Sequence, residues 1–138
     1  INLYNLSFLV SLFGKPLEAV YQANRHANGV DTSGILILRY PDFVCTCEAA
    51  KDTWGINSAQ IQGERGFLYI KDGCNWFSEV TLETKEGRET VNEQDPKLHW
   101  HYEMRELTGL IQAGDRTEYQ RRKALTLDVV EILESVRI

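Results

Sequence analysis

The chain has 138 residues, 43% of them hydrophobic and 25% charged, with a formal net charge of −5. That length and balance fit a single soluble globular domain with a hydrophobic core of its own. The acidic balance excludes general nucleic-acid binding, which needs a basic face. No apolar run approaches the ~20 residues of a membrane span, and no signal peptide is visible. The chain opens on isoleucine rather than methionine, so a trimmed portion of a longer protein is expected.

The opening segment Leu3 to Phe13 carries Leu6, Leu9, Val10 and Phe13 at helical spacing. Gly14 stands where a glycine stops a helix, and Pro16 forbids continuation. From Leu17 to Asn24 the period drops to two, with Ala19, Tyr21 and Ala23 on one face. Asn28-Gly29 is a hairpin signal because both residues tolerate positive φ. The next strand, about Gly34 to Tyr40, is apolar on both faces through Ile35-Leu36-Ile37-Leu38, as a central strand would be. Pro41-Asp42 turns the chain and Val44 to Ala50 returns it.

Asn57 to Gln62 and Phe67 to Lys71 form another hairpin around Gly63 to Gly66. Glu79 to Thr84 and Glu89 to Val91 pair across Glu86-Gly87, and their charge predicts a sheet edge. After Asp95-Pro96 the period becomes helical: Met104, Leu107 and Ile111 share a stripe, and Gly114 ends the helix. Leu125, Val129, Ile132, Leu133 and Val136 give a last helix from Leu125 to Arg137 its own stripe. The expected fold is α+β: a two-layer, mostly antiparallel open sheet with the helices on one face, forming one domain over 1–138. Its second sheet face must then carry either Leu36 and Leu38 or Ile35 and Ile37, a surface that packing against another copy would bury.

The three cysteines, Cys45, Cys47 and Cys74, are an odd count without metal-ligand spacing. They read as reduced thiols of a cytoplasmic protein. His26 falls in a hairpin turn and is expected to be exposed. His99 and His101 flank Trp100, and such a pair binds metal only where a third ligand converges. No metal site is assigned. Trp54 either covers the core or stacks on a sugar ring. Arg121-Arg122-Lys123 would open the final helix, the wrong end for the macrodipole, as a solvated surface or a phosphate contact.

Taken in order, GKP at Gly14 to Pro16, GVDTSG at Gly29 to Gly34, IQGERGFLYI ending at Ile70, YEMRELTGLIQAG at Tyr102 to Gly114 and LTLDVVEILESVR from Leu125 form a series. That series resembles the C-terminal domain of the Gfo/Idh/MocA oxidoreductases, the glucose–fructose oxidoreductase and inositol dehydrogenase family, with the dihydrodiol dehydrogenase branch nearest. The resemblance covers the whole chain. It implies a substrate-binding and dimerisation domain of an NAD(P)-dependent enzyme acting on a sugar, polyol or related hydroxy compound. Family members bind NAD or NADP in an upstream Rossmann domain, which also carries a catalytic lysine in an E-K-P motif. Neither that motif nor G-x-G-x-x-G occurs here, and the Gly63 to Gly66 turn feeds a strand rather than a helix. No cofactor-binding residue is therefore assigned, and the chain alone is expected to be inactive.

The family's second catalytic motif reads D-x-G-x-[HY]-x-x-D, followed seven residues on by a glycine. Counting back seven from Gly14 puts Ser7 at the second aspartate and Tyr4 at the His/Tyr position. Asn2 replaces the motif's glycine, and its first aspartate would precede residue 1. The resemblance thus makes Tyr4 the candidate catalytic residue, and serine at position 7 is a departure. A tyrosine of pKa ~10 can pass a proton to or from a substrate hydroxyl, the more so near a cation. His101 and Tyr102 are the candidate substrate-binding residues if the pocket reaches them. The implied partners are a homo-oligomeric copy across the sheet face and a small-molecule substrate, with no nucleic acid and no membrane. The alternative is a non-catalytic interaction or ligand-binding module that uses the exposed sheet face.

Overall fold

Helix α1 spans Leu3–Phe13 and ends where Gly14 takes φ 74° and its N–H donates to the carbonyl of Val10. These bounds are those the spacing predicts. The computed structural model describes residues 2–91 and 94–136. The described residues fall in two compact units, Ile1–Trp54 with Thr117–Ile138 and Gly55–Arg116.

In the first unit, β1 (Glu18–Arg25), β2 (Asp31–Arg39) and β3 (Val44–Ala50) form an antiparallel sheet with β2 central. The β1–β2 loop uses positive φ only at Gly29. Asn28 acts through its side chain instead, its Oδ1 accepting the N–H of Val30 at 3.1 Å. The register places Tyr21 opposite Leu36 and Cys47, and Ala19 opposite Leu38 and Cys45. That face is buried. Leu36, Leu38, Tyr40 and Cys47 join Leu6 and Val10 of α1 and Val129, Ile132 and Val136 of the last helix in one core. The opposite face exposes Val20, Ile35, Ile37 and Val44. Leucine therefore lines the core and isoleucine the open face of the same strand.

The last helix, α3 (Arg116–Ser135), belongs to this unit from Thr117 onward. It begins well before Leu125, where the apolar stripe starts. Glu118 in its first turn receives Arg121 at 2.6 Å and Arg122 at 2.7 Å, pairs at i,i+3 and i,i+4 that support opening turns with no buried side chain. The basic cluster thus lies beyond the first turn, and the acidic residue occupies the end that the macrodipole favours. Arg137, the expected helix end, lies outside the described residues.

The second unit holds β4 (Ser58–Gly63), β5 (Gly66–Lys71), β6 (Glu79–Thr84) and β7 (Arg88–Val91), antiparallel in that order. The charged β7 is an edge strand, as its composition predicts. Ile70 is buried, and so is Thr81, whose Oγ1 meets that of Thr90 at 3.2 Å across the ladder. The turn of a 3-10 helix, Pro96–Leu98, precedes α2 (His99–Ala113), which Gly114 closes in the left-handed region. The expected stripe Met104, Leu107 and Ile111 is present, extended by Trp100, but all four side chains are exposed.

The α+β class and the antiparallel pairing are those expected, with the strands divided between two sheets. The connection from β3 to β4 contains Trp54, expected over the core or a sugar ring, which is fully exposed at 103%. With Gly55 beside it and Ile56 also exposed, the segment contributes nothing to either ladder.

Candidate functional site

The first turn of α1 is built in an unusual way. Asn2 occupies the N-cap position, where asparagine normally accepts a backbone N–H of the first turn, yet its side chain makes no capping bond. Its Oδ1 instead accepts Nδ2–H of Asn5 at 3.1 Å. The same Asn5 amide also donates to the backbone carbonyl of Glu48 on β3 at 3.2 Å. Asn2 is only 3% exposed, and its own Nδ2 has no hydrogen-bond partner among the described residues. Leu6, 0% exposed, drives the next turn into the core.

The orientation of both amides follows from this chain of contacts. A carbonyl oxygen only accepts, so Asn5 must turn its NH2 toward Glu48. That NH2 in turn requires the oxygen of Asn2, which leaves the Asn2 NH2 as the orphan. A buried unpaired donor costs about 1–3 kcal/mol.

Tyr4 sits between the two asparagines and is 62% exposed. Ser7, at the position where the resembled motif has its aspartate, donates its hydroxyl to the carbonyl of Leu3 at 2.8 Å. This i−4 back-bond is a local use of the side chain. The candidate proton-handling group is therefore a solvent-facing phenol on a turn fixed from below.

His101 and Tyr102 lie on the first turns of α2, in the second unit, whereas Tyr4 belongs to the first. The Tyr102 hydroxyl oxygen accepts the N–H of Asp95 at 2.9 Å, tying the helix to the segment before it. Its ring lies edge-on to His101, centroids 5.9 Å apart, and the Arg105 guanidinium sits 5.5 Å from its centre. Its hydroxyl proton is still free to donate to a ligand oxygen. His101 is exposed, as is His26 in the β1–β2 loop.

Two other tyrosines are tuned by packing. Burial, reinforced by the hydrogen bond to Asp31 at 2.6 Å, pushes Tyr21 up to about 12. That same bond lowers the Asp31 carboxyl. Burial also raises Tyr40 to about 12, and its hydroxyl donates to the Gly14 carbonyl at 2.9 Å. Burial raises the Cys45 and Cys74 thiols, which places both far from the reactive thiolate range. Among the described residues no three His, Cys, Asp or Glu side chains converge as a metal set would.

Sequence reasoning did not single out the Asn2–Asn5–Glu48 clasp, because its anchor is a backbone carbonyl. Nor did it find the open depression of about 640 Å³ at the β4–β5 hairpin, lined by Ile61, Arg65, Phe67, Leu68 and Leu82 among others. Its signal was present in Gly63 and Gly66, read only as a turn. A Cβ on Gly66 would strike the carbonyl oxygen of Glu83. Glycine is therefore needed there for strand contact rather than for a ligand.

No helix among the described residues is long and apolar enough to cross a membrane. No protein-family model matches the chain. Over 71 residues, 51% of the chain, it is 37% identical to an uncharacterized oxidoreductase, YgjR, of Escherichia coli strain K12, covering 22% of that protein. Over 138 residues, 99% of the chain, it is 29% identical to scyllo-inositol 2-dehydrogenase (NADP(+)) IolU of Bacillus subtilis strain 168, covering 42% of it. The chain thus spans less than half the length of these relatives, and both are oxidoreductases by name.

Proposed function

We propose that residues 1–138 form the C-terminal, substrate-side and oligomerisation domain of an NAD(P)-dependent oxidoreductase of the Gfo/Idh/MocA type. Its substrate would be a sugar, polyol or related hydroxy compound. The observation that carries the reading is the end-to-end similarity to an NADP+-dependent inositol dehydrogenase that is more than twice as long. The exposed Tyr4 at the head of α1 supports it, as does the ordered motif series.

The described residues do not fit a dinucleotide. Pyrophosphate is met by a glycine turn that passes from a strand into a helix N-terminus. Here the glycine turn passes from β4 into β5, and every strand before the 3-10 turn connects to the next in antiparallel pairing within its sheet or through the Trp54 segment. In this reading the nicotinamide cofactor and a catalytic lysine belong to the remainder of the longer protein. This chain's own part is to present a phenol to the substrate hydroxyl, to exchange a proton with it, and to wall the pocket. His101 and Tyr102, in the second unit, are offered as hydrogen-bonding groups for a polar ligand. The open face of β1–β3, with Val20, Ile35, Ile37 and Val44, would pack against a second copy.

The test is cofactor binding and turnover by the full-length protein that carries this sequence. Reduction of NADP+ or NAD+ with inositols and other polyols is expected, and Tyr4→Phe should lower kcat. A full-length protein without measurable affinity for either nicotinamide cofactor would falsify the assignment.

A further inference from the structure

We propose that Asn5 is a positioning residue for Tyr4: its side-chain amide fastens the opening turn of α1 to β3, so that the Tyr4 hydroxyl is presented in one place. The inference rests on the reading of Tyr4 as the proton-handling group.

The first N–H groups of a helix have no intrahelical acceptor, and a capping side chain normally steadies that turn. Here the residue at the N-cap does not cap. Leu3 is exposed and buries no anchor, and the first apolar anchor is Leu6. Tyr4 lies on the unsupported side of Leu6. Besides the helical bond from Leu6 N–H to the Asn2 carbonyl at 2.9 Å and the local bond from the Ser7 hydroxyl to the Leu3 carbonyl, Asn5 makes the contacts that tie this turn to the sheet and to the helix head. Both are donations from one NH2 group, to Glu48 on a neighbouring strand and to Asn2 at the helix head. The strand bond fixes the turn against the sheet, and the Asn2 bond fixes it along the helix. The pair replaces a cap with a clasp, and it leaves Asn2 with a buried, unpaired donor. An arrangement with that cost is more than a generic helix start needs.

Displacing a reacting group by about 1 Å costs up to roughly a hundredfold in rate. Loosening the Tyr4 turn should therefore act on kcat with little change in KM. The experiment is a double-mutant cycle in the full-length dehydrogenase, with kcat and KM measured per folded molecule. Asn5→Ala is expected to lower kcat about tenfold or more. Asn5→Asp keeps the shape but has no N–H for either acceptor, and should behave alike. In a Tyr4→Phe background the same change should matter less than about twofold, because the group it positions is gone.

Equal losses in both backgrounds would mean a general structural role and overturn the proposal. So would an unaltered kcat in Asn5→Asp. If Tyr4→Phe itself leaves kcat unchanged, the Tyr4 reading fails first and the inference with it, so the two failures are told apart. Should both Asn5 variants fail to fold, Asn2→Ala decides the matter. It removes one acceptor and the orphan donor while keeping the bond to Glu48, and is expected to lower kcat less than Tyr4→Phe does. A loss as large as that of Tyr4→Phe would show that the β3 anchor does not do the positioning.

Discussion

The ring of Tyr21 on β1 lies over Gly34 on β2 so closely that a Cβ added to Gly34 would come within 2.5 Å of it. The ring cannot swing aside freely, because its hydroxyl donates to Asp31 at 2.6 Å. Gly34→Ala should therefore destabilise the first unit by about 1–3 kcal/mol, the range for overpacking a tight site. Chemical denaturation would measure it. The loss should shrink in a Tyr21→Ala background, since the clash partner is then absent. An undiminished loss there would trace the effect to the β2 backbone instead.

The same tyrosine predicts an alkaline limb. Burial first, then the Asp31 bond, raises Tyr21 from its ordinary value of 10.0 to about 12. The folded state thus holds this proton more tightly than the unfolded state. Its contribution is complete below pH ~10 and is lost as pH rises through the folded value. Tyr40, raised by burial to about 12, acts in the same direction. Both should ionise late, near pH 12, in a phenolate absorbance titration. In Tyr21→Phe one late transition should vanish, and stability should fall less steeply between pH ~10 and ~12.

At the acid end the telling group is Glu118. Hydrogen bonds from Arg121 and then Arg122 hold its carboxyl down to about 2. A depressed carboxylate favours the fold above its unfolded pKa, and that support fades as pH falls toward the folded value. The pairs are solvent-exposed, so the effect on global stability is small and screened by salt. The sharp readout is local: an NMR titration of the Glu118 carboxyl should return toward the ordinary glutamate range when Arg121 and Arg122 are both changed to Gln. A midpoint unmoved by that double change would mean that the arginines do not set it.

These residues also show what the sequence could and could not say. Helix α1 was legible to its ends, because its apolar spacing, Gly14 and Pro16 agree. Strand β3 was legible because Pro41-Asp42 and the run after it leave one register. The first turns of α3 were not, since Arg116 to Ala124 present no apolar stripe and are supported by the Glu118 pairs. On β2 the alternation left both faces apolar, and only the packing of α1 and α3 decides that Leu36 and Leu38 go inward. Tyr4 is a candidate only through the family resemblance, by counting back from Gly14. The partner of Asn5 could not be found in the sequence, because a carbonyl 43 positions away carries no signature of its own.

That division on β2 gives the last prediction. Leu38, 0% exposed, sits in the core, so Leu38→Ala should cost about 2–5 kcal/mol. Ile37, its neighbour at 38% exposure, faces outward beside Val20. Ile37→Glu should shift the stability of an isolated chain by no more than about 0.5 kcal/mol, as surface substitutions generally do. If the open face joins two copies, the same change buries a carboxylate against apolar side chains and should split the oligomer. Light scattering on the full-length protein separates the cases. A mass that falls to the monomer with Ile37→Glu, while Leu38→Ala lowers only the melting temperature, places the interface on this face. A multimer that survives Ile37→Glu and Ile35→Glu together would mean that the copies meet elsewhere.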